Sequence, residues 1–156
     1  MILPRVIAAT DLAYLAGIID GEGHIGLIRR KRSWKRDPQR MHYLRPIVQI
    51  GQAKRGLLDH IEKVVGSGSL AIHGQRVFYN LRFYTGTLKW LLPQLLPYLV
   101  VKRRQAEIVL AFIARATTHC GIDLSAEELF ARELLAQEIR TLNKKPAALA
   151  REAQVS

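Results

Sequence analysis

Twice in this chain a stretch of helical periodicity runs straight into two stretches that alternate with a period of two, and that order admits few folds. In residues 10–21, Leu12, Leu15, Ala16 and Ile19 fall at i, i+3, i+4 and i+7, one apolar stripe, with Thr10 or Asp11 as N-cap. Strand-like segments follow at 23–32 and 43–52. In the first, Ile25 and Leu27 share one face, and His24, Gly26, Ile28, Arg30 and Arg32 share the other. In the second, Val48 and Ile50 alternate with Arg45, Ile47, Gln49 and Gly51. Residues 54–65 return to helical spacing through Leu57, Leu58, Ile61, Val64 and Val65, and Gly66-Ser67-Gly68 stops them. A second strand pair spans 69–73 and 76–84, turning at Gly74-Gln75. Val77, Tyr79, Leu81 and Phe83 share one face of its later strand; Arg76, Phe78, Asn80 and Arg82 share the other. The rest reads as helix. Residues 86–97 are limited by Pro93 and Pro97, and 103–117 carry Ala106, Val109, Leu110 and Ile113 on a stripe. A capping box at Ser125–Glu128 opens a last helix with Ala131, Leu135, Ile139 and Leu142.

The order is α-β-β-α-β-β-α with one or two further C-terminal helices, an α+β fold. It predicts a four-stranded antiparallel sheet with helices on one face and the other face open. A length of 156 residues suits one domain, placed at 1–145, with 146–156 expected as a flexible tail after Pro146.

Charge says what the open face is for. Lys and Arg number 24 against 13 acids, and the pI is near 10.3, a balance that suits a polyanion such as nucleic acid. The excess sits in the first two-thirds: residues 23–106 hold 17 Lys/Arg and three acids, Asp37, Asp59 and Glu62. The open face is therefore expected to read duplex DNA, since two-stranded ribbons can enter the major groove. Its candidates are His24, Gly26, Ile28, Arg30, Arg32, Arg45, Ile47 and Gln49 from the first pair. Ser69, Ala71, His73, Arg76, Phe78, Asn80 and Arg82 come from the second. With Phe78 as its chief aromatic, that face suits base-edge readout better than single-strand stacking. The basic tip between Arg29 and Arg40, which carries Trp34, is expected to touch DNA as well.

Other classes fall away. A lone Cys120 makes no intramolecular disulfide and no cysteine zinc site, and the five histidines lack ligand spacing. No apolar run is long enough to span a membrane, and "MILPRVIAAT" does not read as a secretory signal. The expected setting is intracellular, in cytoplasm, nucleoid or organelle matrix, with no membrane partner.

Against this basic background stands "LAGIIDGEGHIGL", residues 15–27, with four glycines and two carboxylates, Asp20 and Glu22. Glycine inside a helix costs about 1 kcal/mol relative to alanine, so a close backbone approach is expected at Gly17. Carboxylates beside phosphate repel it unless a cation intervenes, and Mg²⁺ takes oxygen ligands from carboxylates and phosphates together. One carboxylate is thin for a whole site. Two copies, joined through the small residues Ala13, Ala16 and Gly17 of two helices, would supply a pair. These considerations leave open which acid holds the metal.

"LAGIIDGEG" resembles the signature of the LAGLIDADG homing endonucleases, matching at Leu15, Ala16, Gly17, Ile19, Asp20, Gly21 and Gly23, with Glu22 where the family has Asp or Glu. A single copy resembles the homodimeric branch, and the likeness runs from Asp11 to about Asn143. The resemblance implies an αββαββα fold with a saddle-shaped sheet over DNA. It implies Mg²⁺-dependent hydrolysis of double-stranded DNA, with Mn²⁺ or Ca²⁺ able to replace Mg²⁺ for binding. The target would be a long near-palindromic site left with 3′ overhangs. Glu22 would be the metal ligand, aided by the Gly21 carbonyl, while Asp20 would be structural at the helix end. Ala13, Ala16, Gly17 and Asp20 would lie at the dimer interface. Gln52 would position water or a metal-bound water, Lys54 or Arg55 would follow it, and Lys102 would contact solvent or the scissile phosphate electrostatically. Asn143 with Lys144 and Lys145 would touch the DNA backbone. Rival readings are an intron RNA maturase and a non-catalytic DNA-binding regulator; Glu22 and Lys102 favour the enzyme.

Overall fold

The computed structural model describes residues 5–31, 42–74, 78–118 and 124–144. Arg32, Trp34, Arg76, Cys120, Lys145 and the expected tail 146–156 lie outside them. Helix α1 (Ala9–Glu22) leads into strands β1 (Gly23–Lys31) and β2 (His42–Gln52). Helix α2 (Arg55–Val65) leads into β3 (Ser69–His73) and β4 (Phe78–Phe83), followed by α3 (Thr85–Leu95), α4 (Arg103–Thr118) and α5 (Ala126–Leu142). The four strands form one antiparallel sheet in the order β1-β2-β4-β3.

Register decides the faces. Ile25 pairs with Val48 and Val48 with Phe83; Gly23 pairs with Ile50, Ile50 with Leu81 and Leu81 with Leu70. These apolar rows face the helices. Leu12, Leu15, Ala16 and Ile19 of α1, Leu58, Ile61 and Val65 of α2, and Leu88, Leu91, Leu92 and Leu95 of α3 join them in one core. Ala106, Val109, Phe112 and Ile113 of α4 and Ala136 and Ile139 of α5 complete it. Each large aliphatic buried there stabilises the fold by about 1.5–3 kcal/mol before chain entropy is counted.

Several local expectations need correction. Helix α1 starts earlier than Thr10, with Ala8 as its N-cap and no side-chain cap. Pro93 lies inside α3, which runs to Leu95; near a C-terminus with its ring exposed, the proline costs the helix one backbone bond. On α5 the inward side is Glu128, Ala136 and Ile139, whereas Leu142 is exposed. Glu128 is buried as an ion pair with Arg115 of α4 at 2.9 Å and with Arg132 at 2.7 Å. The Ser125 hydroxyl does accept from Glu128 N, and Gly66 does end α2 in the left-handed conformation at φ 73°.

Two junctions set the site. No loop separates α1 from β1: a Cβ at Gly23 would come within 2.7 Å of Ile19 Cα and 2.8 Å of its carbonyl oxygen. At the outer edge of the sheet, the Asn143 side-chain amide donates to the Ile25 carbonyl at 2.9 Å, and Arg29 pairs with Glu133 at 2.6 Å. The end of α5 thereby covers the edge of β1.

Candidate active site and nucleic-acid face

The two acids of the motif have separate surroundings. Asp20 Oδ2 accepts from the Val100 amide at 2.8 Å and Oδ1 from the Lys102 amide at 2.9 Å, so it ties the α1 end to the α3–α4 connection. Burial raises its pKa, but the amides of Val100, Lys102 and Val101 and the Lys102 charge outweigh that, and the net shift is downward. Lys102 Nζ donates to the carbonyls of Ile19 at 2.8 Å and Asp20 at 2.6 Å, where it meets the negative end of the helix. Desolvation lowers the Lys102 pKa, opposed by the Asp20 carboxylate.

A depressed Asp20 pKa makes an acid-stability prediction. The carboxylate stabilises the fold above the ordinary value of 3.8, and that contribution is lost as pH falls through the lower folded value. Asp20→Asn should be less stable at neutral pH by about 1–2 kcal/mol, discounted for partial exposure. It should also lose less stability on acidification than wild type. Urea midpoints measured across that pH range check this; parallel acid limbs would sink it.

Glu22 is exposed, and its Oε2 accepts from the side-chain amide of Gln52 at the end of β2. Of the last α1 carbonyls, those of Ile19 and Asp20 are taken by Lys102. Beyond these stand the Gly21 carbonyl and the Glu22 carboxylate, hard oxygen donors of the kind Mg²⁺ takes. Among the described residues no group of three His, Cys, Asp or Glu side chains could hold a metal. One chain thus brings two oxygen donors together at this joint, the Gly21 carbonyl and the Glu22 carboxylate.

Lys54 and Arg55, equivalent in the sequence, differ in the structure. Arg55 pairs with Asp59 at 3.0 Å along α2, whereas Lys54 stands exposed at the helix N-cap. The exposed face of α1 carries Ala9, Ala13, Gly17 and Gly21 at four-residue steps, and a Cβ added at Gly17 or Gly21 would meet nothing within 4 Å. Ala16 is not part of that surface: its accessibility is 0%, and it packs into the core beside Ile19.

The register puts the expected readers on one face. His24 pairs with Gln49, Gln49 with Arg82 and Arg82 with Ser69; Ile28 pairs with Arg45, Ala71 with Asn80, and His73 with Phe78. Gly26 pairs with Ile47 on the same face, and Arg30, paired with Tyr43, continues it. The glycines admit flat side chains: a Cβ at Gly26 would come 2.6 Å from His24 Nε2, and one at Gly51 2.6 Å from the Phe78 ring. Desolvation, then the Lys102 charge, lowers the His24 pKa. Ile47 and Asn80 are buried, a correction to their expected exposure, and Asn80 Oδ1 accepts from the Gln49 amide. Asn143 spends an amide hydrogen on Ile25, and Lys144 is exposed just past α5.

Sequence reasoning missed Tyr84, whose ring carries the Arg45 guanidinium at 3.6 Å. It also missed the hydrogen-bonded row His73–Arg82–Gln49–Asn80 across three strands. Only strand register brings these residues together, and no local pattern reports it.

No family model and no curated protein sequence matches the chain. Solved structures do. The homing endonuclease I-CvuI, crystallised with the I-CreI target and 2 mM Mg with its DNA not cleaved, is 26% identical at TM-score 0.74, over 88% of this chain and 85% of that one. The archaeal intron-encoded homing endonuclease I-Vdi141I, complexed with DNA, is 23% identical at TM-score 0.74, over 87% and 86%. The LAGLIDADG meganuclease I-AabMI, bound to uncleaved DNA, is 22% identical at TM-score 0.64, over 80% of this chain and 43% of that one.

Proposed function

We propose, from the premise that this chain has the fold of the LAGLIDADG homing endonucleases, that it is a sequence-specific endonuclease for double-stranded DNA, acting as a homodimer with Mg²⁺. The observation that carries this reading is the Glu22–Gln52 pair, an exposed carboxylate held at the joint between α1 and the sheet. Around it lie an open face of polar and basic side chains and an exposed stripe of small residues on α1.

The division of labour follows. Asp20 and Lys102 fix the end of α1 against the α3–α4 connection, so Glu22 projects from a rigid support. Gln52 donates to one oxygen of the Glu22 carboxylate and so would orient it, leaving the other for the cation. Glu22 and the Gly21 carbonyl would hold the cation, which supplies Lewis-acid polarisation of the phosphodiester. Lys54, with no carboxylate partner among the described residues, offsets charge at the phosphate, as does Lys102. In the net reaction water bonds to phosphorus, one P–O ester bond breaks, and the leaving oxygen takes a proton. Packing of two α1 helices through Ala13, Gly17 and Gly21 would bring two Glu22 residues together. A near-palindromic target and paired cuts leaving 3′ overhangs would follow.

The test is selection of cut products from a randomised duplex library, with Mg²⁺ and with chelator. One long, near-palindromic site cut only with metal is expected. Tight duplex binding with no cutting would leave a DNA-binding regulator, and preference for a structured RNA would leave the maturase. Both outcomes overturn the enzyme.

A further inference from the structure

Helix α5 is an acidic element on a basic body. It carries four glutamates, Glu127, Glu128, Glu133 and Glu138, against two arginines, Arg132 and Arg140, a net charge of −2. The whole chain is +11, so by difference the rest of it is +13. The helix packs against α4 and β1, and three of its glutamates meet arginines of those elements. Glu133 pairs with Arg29 of β1 at 2.6 Å, Glu138 with Arg104 of α4 at 2.7 Å, and Glu128 with Arg115 of α4 at 2.9 Å. The Asn143 amide, on the residue that ends the helix, adds its bond to the Ile25 carbonyl.

Apolar packing adds little to this hold. Of the apolar side chains of α5 only Ala136 and Ile139 are buried, with Leu135 half-buried beside them. The larger share faces water: Leu129, Phe130, Leu134 and Leu142 are 54%, 66%, 50% and 43% exposed. Helix α3, by contrast, buries four leucines. Docking of α5 therefore falls mainly on its ion pairs. Two of them, Arg29–Glu133 and Arg104–Glu138, have both partners about half exposed, and such pairs are weak and screened by salt.

We propose that α5 is a latch held by charge: it leaves α4 and β1 as one unit while the rest of the fold stays closed, and ionic strength sets how often. Opening releases Arg29, Arg104 and Arg115 from α5 and bares the outer edge of β1. The device belongs to the fold and is independent of the nuclease reading. Salt acts on it with a sign opposite to its effect on the whole chain. Screening relieves repulsion among the excess bases, so exchange that needs global unfolding slows or stays unchanged. Screening also weakens the attraction between the acidic helix and the basic body, so exchange through the latch speeds up.

The test is amide hydrogen exchange of the full chain, read by mass spectrometry in about 0.05 M and about 1 M KCl. Peptides from α5 should exchange roughly ten-fold or more faster at high salt, by a similar factor from Ala126 to Leu142. Peptides from α1 and α3 should not speed up. Glu133→Gln and Glu138→Gln should each speed α5 exchange about two- to five-fold at low salt and shrink its response to KCl. The same salt response in α5 and in α1 would make the opening global and overturn the latch. Exchange in α5 that ignores salt overturns it as well, as does exchange fastest at Leu142 and falling steadily toward Ala126, which is fraying from one end. Wild-type exchange in both glutamine variants would take the ion pairs out of the hold and sink the proposal equally.

Discussion

Glu22→Gln should cut the preferred duplex about a thousand-fold more slowly than wild type while binding it with similar affinity. The substitution keeps the size and can still accept the Gln52 amide, so the joint between α1 and β2 is preserved. What disappears is the one exposed carboxylate of the motif, since Asp20 is engaged with the Val100 and Lys102 amides. If Glu22 holds the cation as proposed, its loss removes several kcal/mol of transition-state stabilisation, and each 1.4 kcal/mol is about ten-fold in rate. Gln52→Ala removes only the support of that ligand and should cost roughly 10- to 100-fold. Single-turnover cleavage with Mg²⁺, beside a gel-shift titration, separates chemistry from binding. Equal cutting by wild type and Glu22→Gln would remove Glu22 from the metal site.

Gly17→Leu should leave a folded protomer that no longer pairs. Within the protomer a Cβ at this position meets nothing within 4 Å, so no clash opposes the change. Replacing an exposed helical glycine by leucine should raise protomer stability by about 0.5–1 kcal/mol. The same side chain would stand between two α1 helices brought close along Ala13, Gly17 and Gly21, and overpacking there would split the dimer. A monomeric mass by light scattering, a raised or unchanged thermal midpoint and loss of double-strand cutting are expected together. A G17L variant that stays dimeric would move the interface away from α1.

The contrast between these two residues shows what the sequence could carry. Period-two alternation in 23–32 and 76–84 predicts which side chains face the helices, and the register of Ile25, Val48 and Phe83 agrees with it. The apolar stripe of α1 is likewise found buried at Leu12, Leu15, Ala16 and Ile19. That same burial corrects the expectation for Ala16, because a small residue on a helix fits a core face as well as an interface. Lys54 and Arg55 are adjacent and alike in charge, and only the geometry of α2 reveals Asp59 as the partner of Arg55. The inward side of α5 misleads for a different reason: Glu128 is buried because arginines arrive from two positions, 13 residues before it and four after. Hydropathy treats such a residue as surface.

The bond from Asn143 to the Ile25 carbonyl joins residues 118 positions apart. During synthesis β1 leaves the ribosome long before the helix end that covers its outer edge. At about 5–20 residues per second that interval is roughly 6 to 24 s. Through it the edge of β1 that Asn143 covers in the folded chain is without that cover and can accept a foreign strand. Native closure of this margin is among the longest-range events in the fold, so it belongs to the late, slow part of folding. Chains truncated before residue 143 should therefore misassociate through β1 even where their core is otherwise complete.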